Sequence, residues 1–235
     1  VTWSGESPLN FSDEAERARM NHAIAAVRAQ LGRRYPVLLA DRTVEDAEPL
    51  IVHNPAHRNE VLGEVAMASP GHLENAVSLA AKAQPDWASR PVSERAACLR
   101  RAASLIRTRR YELAAWEILE VGKTWREADA DIVETIDYLE YYSQRMIELA
   151  EGQPLPQLPG ERNTYHYIPR GVAVVIAPWN FPAAILTGMA SAALVSGNAV
   201  LLKPAEQSSM IAVQLAQILR EAGVTSALLH GGTST

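Results

Sequence analysis

The chain's 235 residues, 48% hydrophobic and 21% charged, fit a globular protein with room for one large domain or two small ones. Its formal charge of −5, from 22 basic and 27 acidic side chains, lacks the basic excess on which a nucleic-acid binder depends. The longest apolar region, 172–195, is broken by Pro178, Asn180, Pro182 and Gly188 and falls short of the roughly 20 apolar residues of a membrane span.

The start, Val1 to Glu6, has neither the basic nor the apolar part of a signal peptide. From Pro8 the pattern turns helical. Ser12 is the expected N-cap, with Asp13, Glu14 and Glu16 in the first turn where the helix dipole favours them, and Gly32 is the expected stop. Strand-like runs follow at Val37–Leu39, Leu50–Val52 and Val61–Ala66, separated by turn signals at Asn54-Pro55 and Asn59.

Residues 71–150 read as helices. Leu73, Ala76, Val77, Ala80 and Ala81 share one face. Leu99, Ala102, Ala103 and Ile106 share another, and Ile132, Ile136, Leu139, Ser143, Met146 and Ala150 a third. Ser93, after Pro91, is the expected cap of the second helix. The basic cluster Arg100, Arg101, Arg107, Arg109 and Arg110 on that stretch reads as a solvated face. The single cysteine, Cys98, lies between Ala97 and Leu99 and reads as a small buried residue. It allows no internal disulfide and suits a reducing, cytoplasmic setting. Among the six histidines, His53 and His57 are four apart, but Asn54-Pro55 would break a helix between them. No metal site is expected.

Residues 151–170, with Gly152, Pro154, Pro156, Pro159 and Gly160 before the alternating segment 163–168, read as an extended arm. Then Val172–Ala177 forms a continuous β-branched run, as a buried parallel strand does. The turn Pro178-Trp179-Asn180-Phe181 leads into a helix with Pro182 near its start and Gly197 at its end. Asn198–Leu202 is a second buried strand, and Lys203-Pro204-Ala205-Glu206 the turn after it. Ser208 or Ser209 caps a last helix that Gly223 ends. Strand, helix, strand, helix at this spacing predicts an α/β fold: a Rossmann-like, doubly wound parallel sheet preceded by a helical N-terminal region. The expected division is 1–150 and 171–235 for the cofactor-binding part, with 151–170 as an arm for oligomerisation.

Ligands of open parallel sheets collect at the carboxyl ends of the strands, and both turns lie there. Asn180 is a neutral donor suited to a developing oxyanion, or else a satisfier of turn backbone. Lys203 with Glu206 can hold a ribose diol, or else form an exposed ion pair. No Gly-x-Gly-x-x-Gly is present.

Gly171–Pro182 (GVAVVIAPWNFP) and Ser196–Glu206 (SGNAVLLKPAE) resemble the aldehyde dehydrogenase superfamily, as do Glu120–Thr124 and Ala128–Asp131 upstream. Asn10–Asp13, Leu31–Pro36, Ala114–Glu117, Glu134–Tyr142 and Glu161–Tyr165 are similar to bacterial pyrroline-5-carboxylate (glutamate semialdehyde) dehydrogenases. The resemblance implies NAD-dependent oxidation of an aldehyde, L-glutamate γ-semialdehyde in proline catabolism, by a homo-oligomer. It makes Asn180 the oxyanion-stabilising amide, and it sets Lys203 and Glu206 against the adenosine ribose of NAD. Ile176, Ala177 and Trp179 would line the cofactor cleft. A carboxylate at Glu206 disfavours the extra phosphate of NADP. Phe181 would lie beside the aliphatic part of the substrate, or else pack in the core. Glu120 and Lys123 match motif positions and read as helix-end polar groups.

The family's thiolate nucleophile and general base correspond to positions beyond residue 235. The chain is therefore expected to be inactive by itself. The other readings are a non-catalytic cofactor-binding or assembly module, and an inert fragment. Val224–Thr235 follows the family only loosely.

Overall fold

A computed structural model describes residues 4–40, 42–45, 48–152, 155–224 and 226–228. The readings made on Val1–Trp3, Pro154, His230 and the rest of the tail lie outside these residues.

Helix α1 (Glu14–Arg28) is capped by Asp13, whose side chain accepts from the Ala15 amide. Ser12, the expected cap, lies one residue too early, because Asp13 is the residue with extended backbone dihedrals. The helix ends at Arg28. Gly32, at φ +80°, instead closes the following turn, and its amide donates to the Leu62 carbonyl (3.0 Å). Strands β1 (Arg33–Tyr35), β2 (Val37–Leu38), β3 (Thr43–Val44), β4 (Pro49–Asn54) and β5 (His57–Ala66) follow. Asn59 lies inside β5 and is not a turn. The turn is made at Asn54, whose Oδ1 accepts from the Ala56 amide (2.9 Å).

Four helices come next: α2 (Pro70–Ser89), α3 (Val92–Thr108), α4 (Arg110–Val121) and α5 (Trp125–Ala150). The stripes on α3 and α5 are buried from Leu99 to Ile106 and from Ile132 to Ser143. On α2 only Ala76 and Ala80 of the predicted stripe are buried, while Leu73 and Val77 are 46% and 42% exposed. The small alanines rest on the sheet, and the larger flanking side chains fall outside the contact. Pro91 holds the N-cap position of α3, and Ser93 lies inside the helix without capping it. α5 has a full capping box between Thr124 and Glu127.

The basic cluster is a solvated face only at Arg100, Arg101 and Arg107, which are exposed. Arg110 is buried and grips Asp129 through two hydrogen bonds (2.6 and 2.9 Å). Arg109 reaches Glu112 and Gln214, Arg101 donates to the Ala222 carbonyl, and Arg107 joins Glu6 to Glu140. The cluster fastens α3 and α4 to their neighbours.

Strand β6 (Val172–Ile176), helix α6 (Ala184–Val195), strand β7 (Ala199–Lys203), a 3-10 turn (Glu206–Ser208), helix α7 (Ser209–Glu221) and strand β8 (Ser226–Leu228) complete the order. One sheet runs β1-β5-β4. The other runs β3-β2-β8-β7-β6, with β6, β7 and β8 parallel and β2 antiparallel to β8 and β3. Alternate residues of β7 enter opposite layers. Val200 and Leu202 join the main core, while Ala199 and Leu201 pack with Ala76 and Ala80 of α2. Helices thus cover both faces of a largely parallel sheet, which is the α/β arrangement predicted.

β6 departs from the expectation of a fully buried strand. Among the described residues it pairs with β7 alone. Val175 is buried towards α6, but Val174 and Ile176 on the other face are 53% and 68% exposed. α2 does not reach over this end of the strand. Between α5 and β6 the predicted arm has neither helix nor ladder partner from residue 155 to 170. Its last amides, Arg170 and Gly171, donate to Asn198 Oδ1 (2.7 and 3.0 Å). No helix among the described residues is long and apolar enough to cross a membrane.

Candidate active site

β6 and β7 end side by side. Ile176 is the register partner of Lys203, and the Ala177 amide extends the ladder by donating to the Lys203 carbonyl (3.1 Å). The turn 178–183 leaves the end of β6, and the turn 204–206 leaves the end of β7. Parallel pairing therefore brings Ile176, Ala177, Trp179, Asn180, Phe181, Lys203 and Glu206 to one edge of the sheet.

Ile176 and Trp179 (53% exposed) are open at this edge. The Ala177 methyl is buried in the core, which leaves only its backbone to face a ligand. Asn180 is exposed, and among the described residues its side chain hydrogen-bonds to none, so it does not act as a satisfier of turn backbone. Phe181 is 44% exposed and its ring stacks under the Lys123 ammonium, 4.8 Å from the ring centroid. It is not a core residue.

Lys203 Nζ donates to Glu206 Oε1 at 2.8 Å, with about a quarter of each side chain exposed. The ion pair read as one alternative is thus formed, and it stands at the ligand edge. Partial burial raises the Glu206 carboxyl, but the hydrogen bond and charge of Lys203, with a backbone hydrogen bond, outweigh this and hold it below the usual carboxylate range. An ionised carboxylate beside an ammonium offers an acceptor and donors to a vicinal diol and repels a phosphate ester. The Lys203–Glu206 pair therefore fits the donor and acceptor needs of a free ribose diol.

Three buried carboxylates missed as site residues shape the two turns. Helix α6 lacks a side-chain cap of its own, since Ala183 holds the N-cap position. Its Ala184 amide donates instead to Asp131 Oδ1 of α5 (2.8 Å). Helix α7 is likewise uncapped by Ser208 or Ser209. The Met210 and Ile211 amides donate to the Glu120 carboxylate of α4 (2.5 and 2.9 Å). Burial pushes Glu120 up to about 8, against the pull of these amides and that of Ser209. Glu117 lies fully buried beside Lys123 and Asp131. The sequence signal was available: Asp131 and Glu117 are carboxylates on otherwise apolar helix faces, where a charge needs a partner.

Residues 43–231 match the sequence profile of the "Aldehyde dehydrogenase family". The chain belongs to the aldehyde dehydrogenase family. A 1-pyrroline-5-carboxylate dehydrogenase of Geobacillus thermodenitrificans is 43% identical over 221 residues, covering 94% of this chain and 43% of the relative. The 1-pyrroline-5-carboxylate dehydrogenase 2 of Bacillus subtilis matches at the same identity and coverage. Among solved structures, 1-pyrroline-5-carboxylate dehydrogenase from Thermus with bound NAD superposes with a TM-score of 0.94 at 37% identity, over 99% of this chain and 46% of that one. Proline utilization A from Bdellovibrio bacteriovorus gives 0.96 at 38% identity, over 98% of this chain and 24% of that one. The chain spans less than half the length of these relatives. The resemblance read from the motifs is thus shown: this is an aldehyde dehydrogenase segment, similar over nearly its whole length to 1-pyrroline-5-carboxylate dehydrogenases.

Proposed function

We propose that the chain supplies the oxyanion-binding amide and part of the NAD cleft of an enzyme that oxidises L-glutamate γ-semialdehyde to glutamate. The observation that carries this reading is the convergence of Asn180 with the Lys203–Glu206 pair at the ends of two adjacent parallel strands. The NAD named for the Thermus structure supports the cofactor.

In this reading Glu206 accepts from the adenosine ribose hydroxyls and Lys203 donates to them, which favours NAD over NADP. Ile176, Trp179 and the Ala177 backbone line the cleft. NAD held in this cleft would supply the oxidising power, as acceptor of the hydride lost from the former aldehyde carbon once a nucleophile has added to it. Asn180 donates its amide N–H to the aldehyde oxygen as negative charge develops there; one such donor is worth about 10²–10³ in rate. Phe181 shields the aliphatic part of the substrate from water. Cys98 is buried between α3 and the end of α7, with Arg101 Nη2 donating to its Sγ (3.0 Å), and has no place in this chemistry. Nucleophile and general base therefore come from sequence other than these 235 residues, and the chain by itself turns over no substrate. Residues 1–150 and 171–235 make up the cofactor-binding part, and 151–170 is an arm for a cytoplasmic homo-oligomer. The arm's exposed Leu158, Tyr165, Tyr167 and Ile168 favour that last assignment.

Calorimetric titration of the purified chain with NAD tests the cleft. Measurable binding that is weakened at least tenfold in both Lys203→Ala and Glu206→Ala is expected. Binding by both variants as strong as that of the unaltered chain would remove the ribose assignment.

A further inference from the structure

Lys123 has a use beyond ending a helix. It sits on the three-residue link between α4 and α5, just after Gly122, whose φ of +71° turns the chain. Its side chain is only 10% exposed. The ammonium donates to Asp131 Oδ2, lies 3.1 Å from Glu117 Oε2, and covers the Phe181 ring. Through its other oxygen Asp131 accepts from the first amide of α6. Two groups in direct contact thus hold the second half of the turn 178–183: Lys123 the ring of Phe181, and Asp131 the start of the helix that follows. Asn180 directly precedes the anchored Phe181 and makes no hydrogen bond of its own to the described residues.

Glu117 completes the cluster. Its carboxyl is inaccessible, and neither oxygen has a hydrogen-bond partner of good geometry among the described residues. Burial first, and then the Asp131 charge, push its carboxyl well above the usual range, with Lys123 opposing. That direction favours the neutral carboxyl at Glu117, which relieves the crowding of two buried carboxylates around one ammonium.

We infer that Lys123, bridged to Asp131 and backed by Glu117, is a positioning residue that fixes the Asn180–Phe181 turn for catalysis. This rests on the reading of Asn180 as the oxyanion donor. Lys123 acts only through the turn. A misplacement of the donor by about 1 Å can lower the rate by about 10²-fold, so a partly released turn should show in kcat.

The test has two readouts. The chain contains only two phenylalanines, Phe11 and Phe181. Labelling with 4-fluorophenylalanine therefore gives two fluorine-19 NMR signals, assigned by Phe11→Leu. In Lys123→Met the Phe181 signal is expected to shift and broaden, and in Lys123→Arg, which keeps a cation over the ring, to return towards its original position. In the full-length enzyme containing this segment, Lys123→Met should lower kcat for NAD-dependent aldehyde oxidation at least tenfold with the KM for NAD within twofold, and Lys123→Arg should restore part of it. Asn180→Ala is the control. An unmoved Phe181 signal, or an unchanged kcat in Lys123→Met when Asn180→Ala is impaired, overturns the positioning role. An unimpaired Asn180→Ala overturns the oxyanion reading itself. Should Lys123→Met fail to fold, the labelled Asp131→Asn chain decides: a Phe181 signal that this change in the Lys123 partner leaves unmoved contradicts the inference.

Discussion

Asp131 shows how one side chain can serve two structures. One oxygen caps α6 and the other takes the Lys123 ammonium. Asp131→Ala removes both and leaves a buried cation, a change that typically costs about 3–5 kcal/mol. Asp131→Asn keeps an oxygen for the Ala184 amide and should cost less by about 1 kcal/mol, the usual worth of a helix cap. Urea unfolding at constant m value measures the difference. Equal losses in the two variants would mean that the cap contributes nothing. This side chain was only partly legible. The motif 128–131 stood out as a resemblance, yet its contact lies 53 residues downstream, and periodicity reports a face but not its partner.

Among the elements, α7 depends on a carboxylate that is not its own. Glu120 accepts the first amides of α7 across about 90 residues of chain. With a folded-state value of about 8 against an ordinary carboxyl value when unfolded, Glu120 binds more protons in the folded state between those two values. Its contribution to stability is full below the unfolded value and declines as pH rises towards about 8. Glu117, also raised, acts in the same direction. Thermal melts from pH 5 to 8 should show a shallower decline in Glu120→Gln than in the unaltered protein; an identical slope would place the titration elsewhere. β6 shows the opposite limit of sequence reading. Its β-branched run correctly indicates a parallel strand, but it is apolar on both faces. Nothing in the pattern distinguishes the covered Val175 from the open Val174 and Ile176. The two strand-end turns after β6 and β7, by contrast, were placed well, because proline and polar residues follow from local backbone needs, whereas the turn expected at Asn59 lies inside β5.

At the scale of the molecule, the three parallel strands and the helices on both sides form the frame, and the two strand-end turns form the edge at which a ligand can bind. The α/β class was legible because two strand–helix units repeat at the right spacing. The clamps made by Arg109, Arg110 and Glu120 were not, because each joins segments that are distant in sequence. The open face of β6 and the chain's share of under half the relatives' length agree with a catalytic role exercised within a longer enzyme. The most direct test is steady-state oxidation of glutamate semialdehyde with NAD by that full-length enzyme and its Asn180→Ala variant. The account predicts a fall in kcat of about 10²-fold or more, the usual loss for an oxyanion donor, with the KM for NAD nearly unchanged. An unaltered kcat would contradict it.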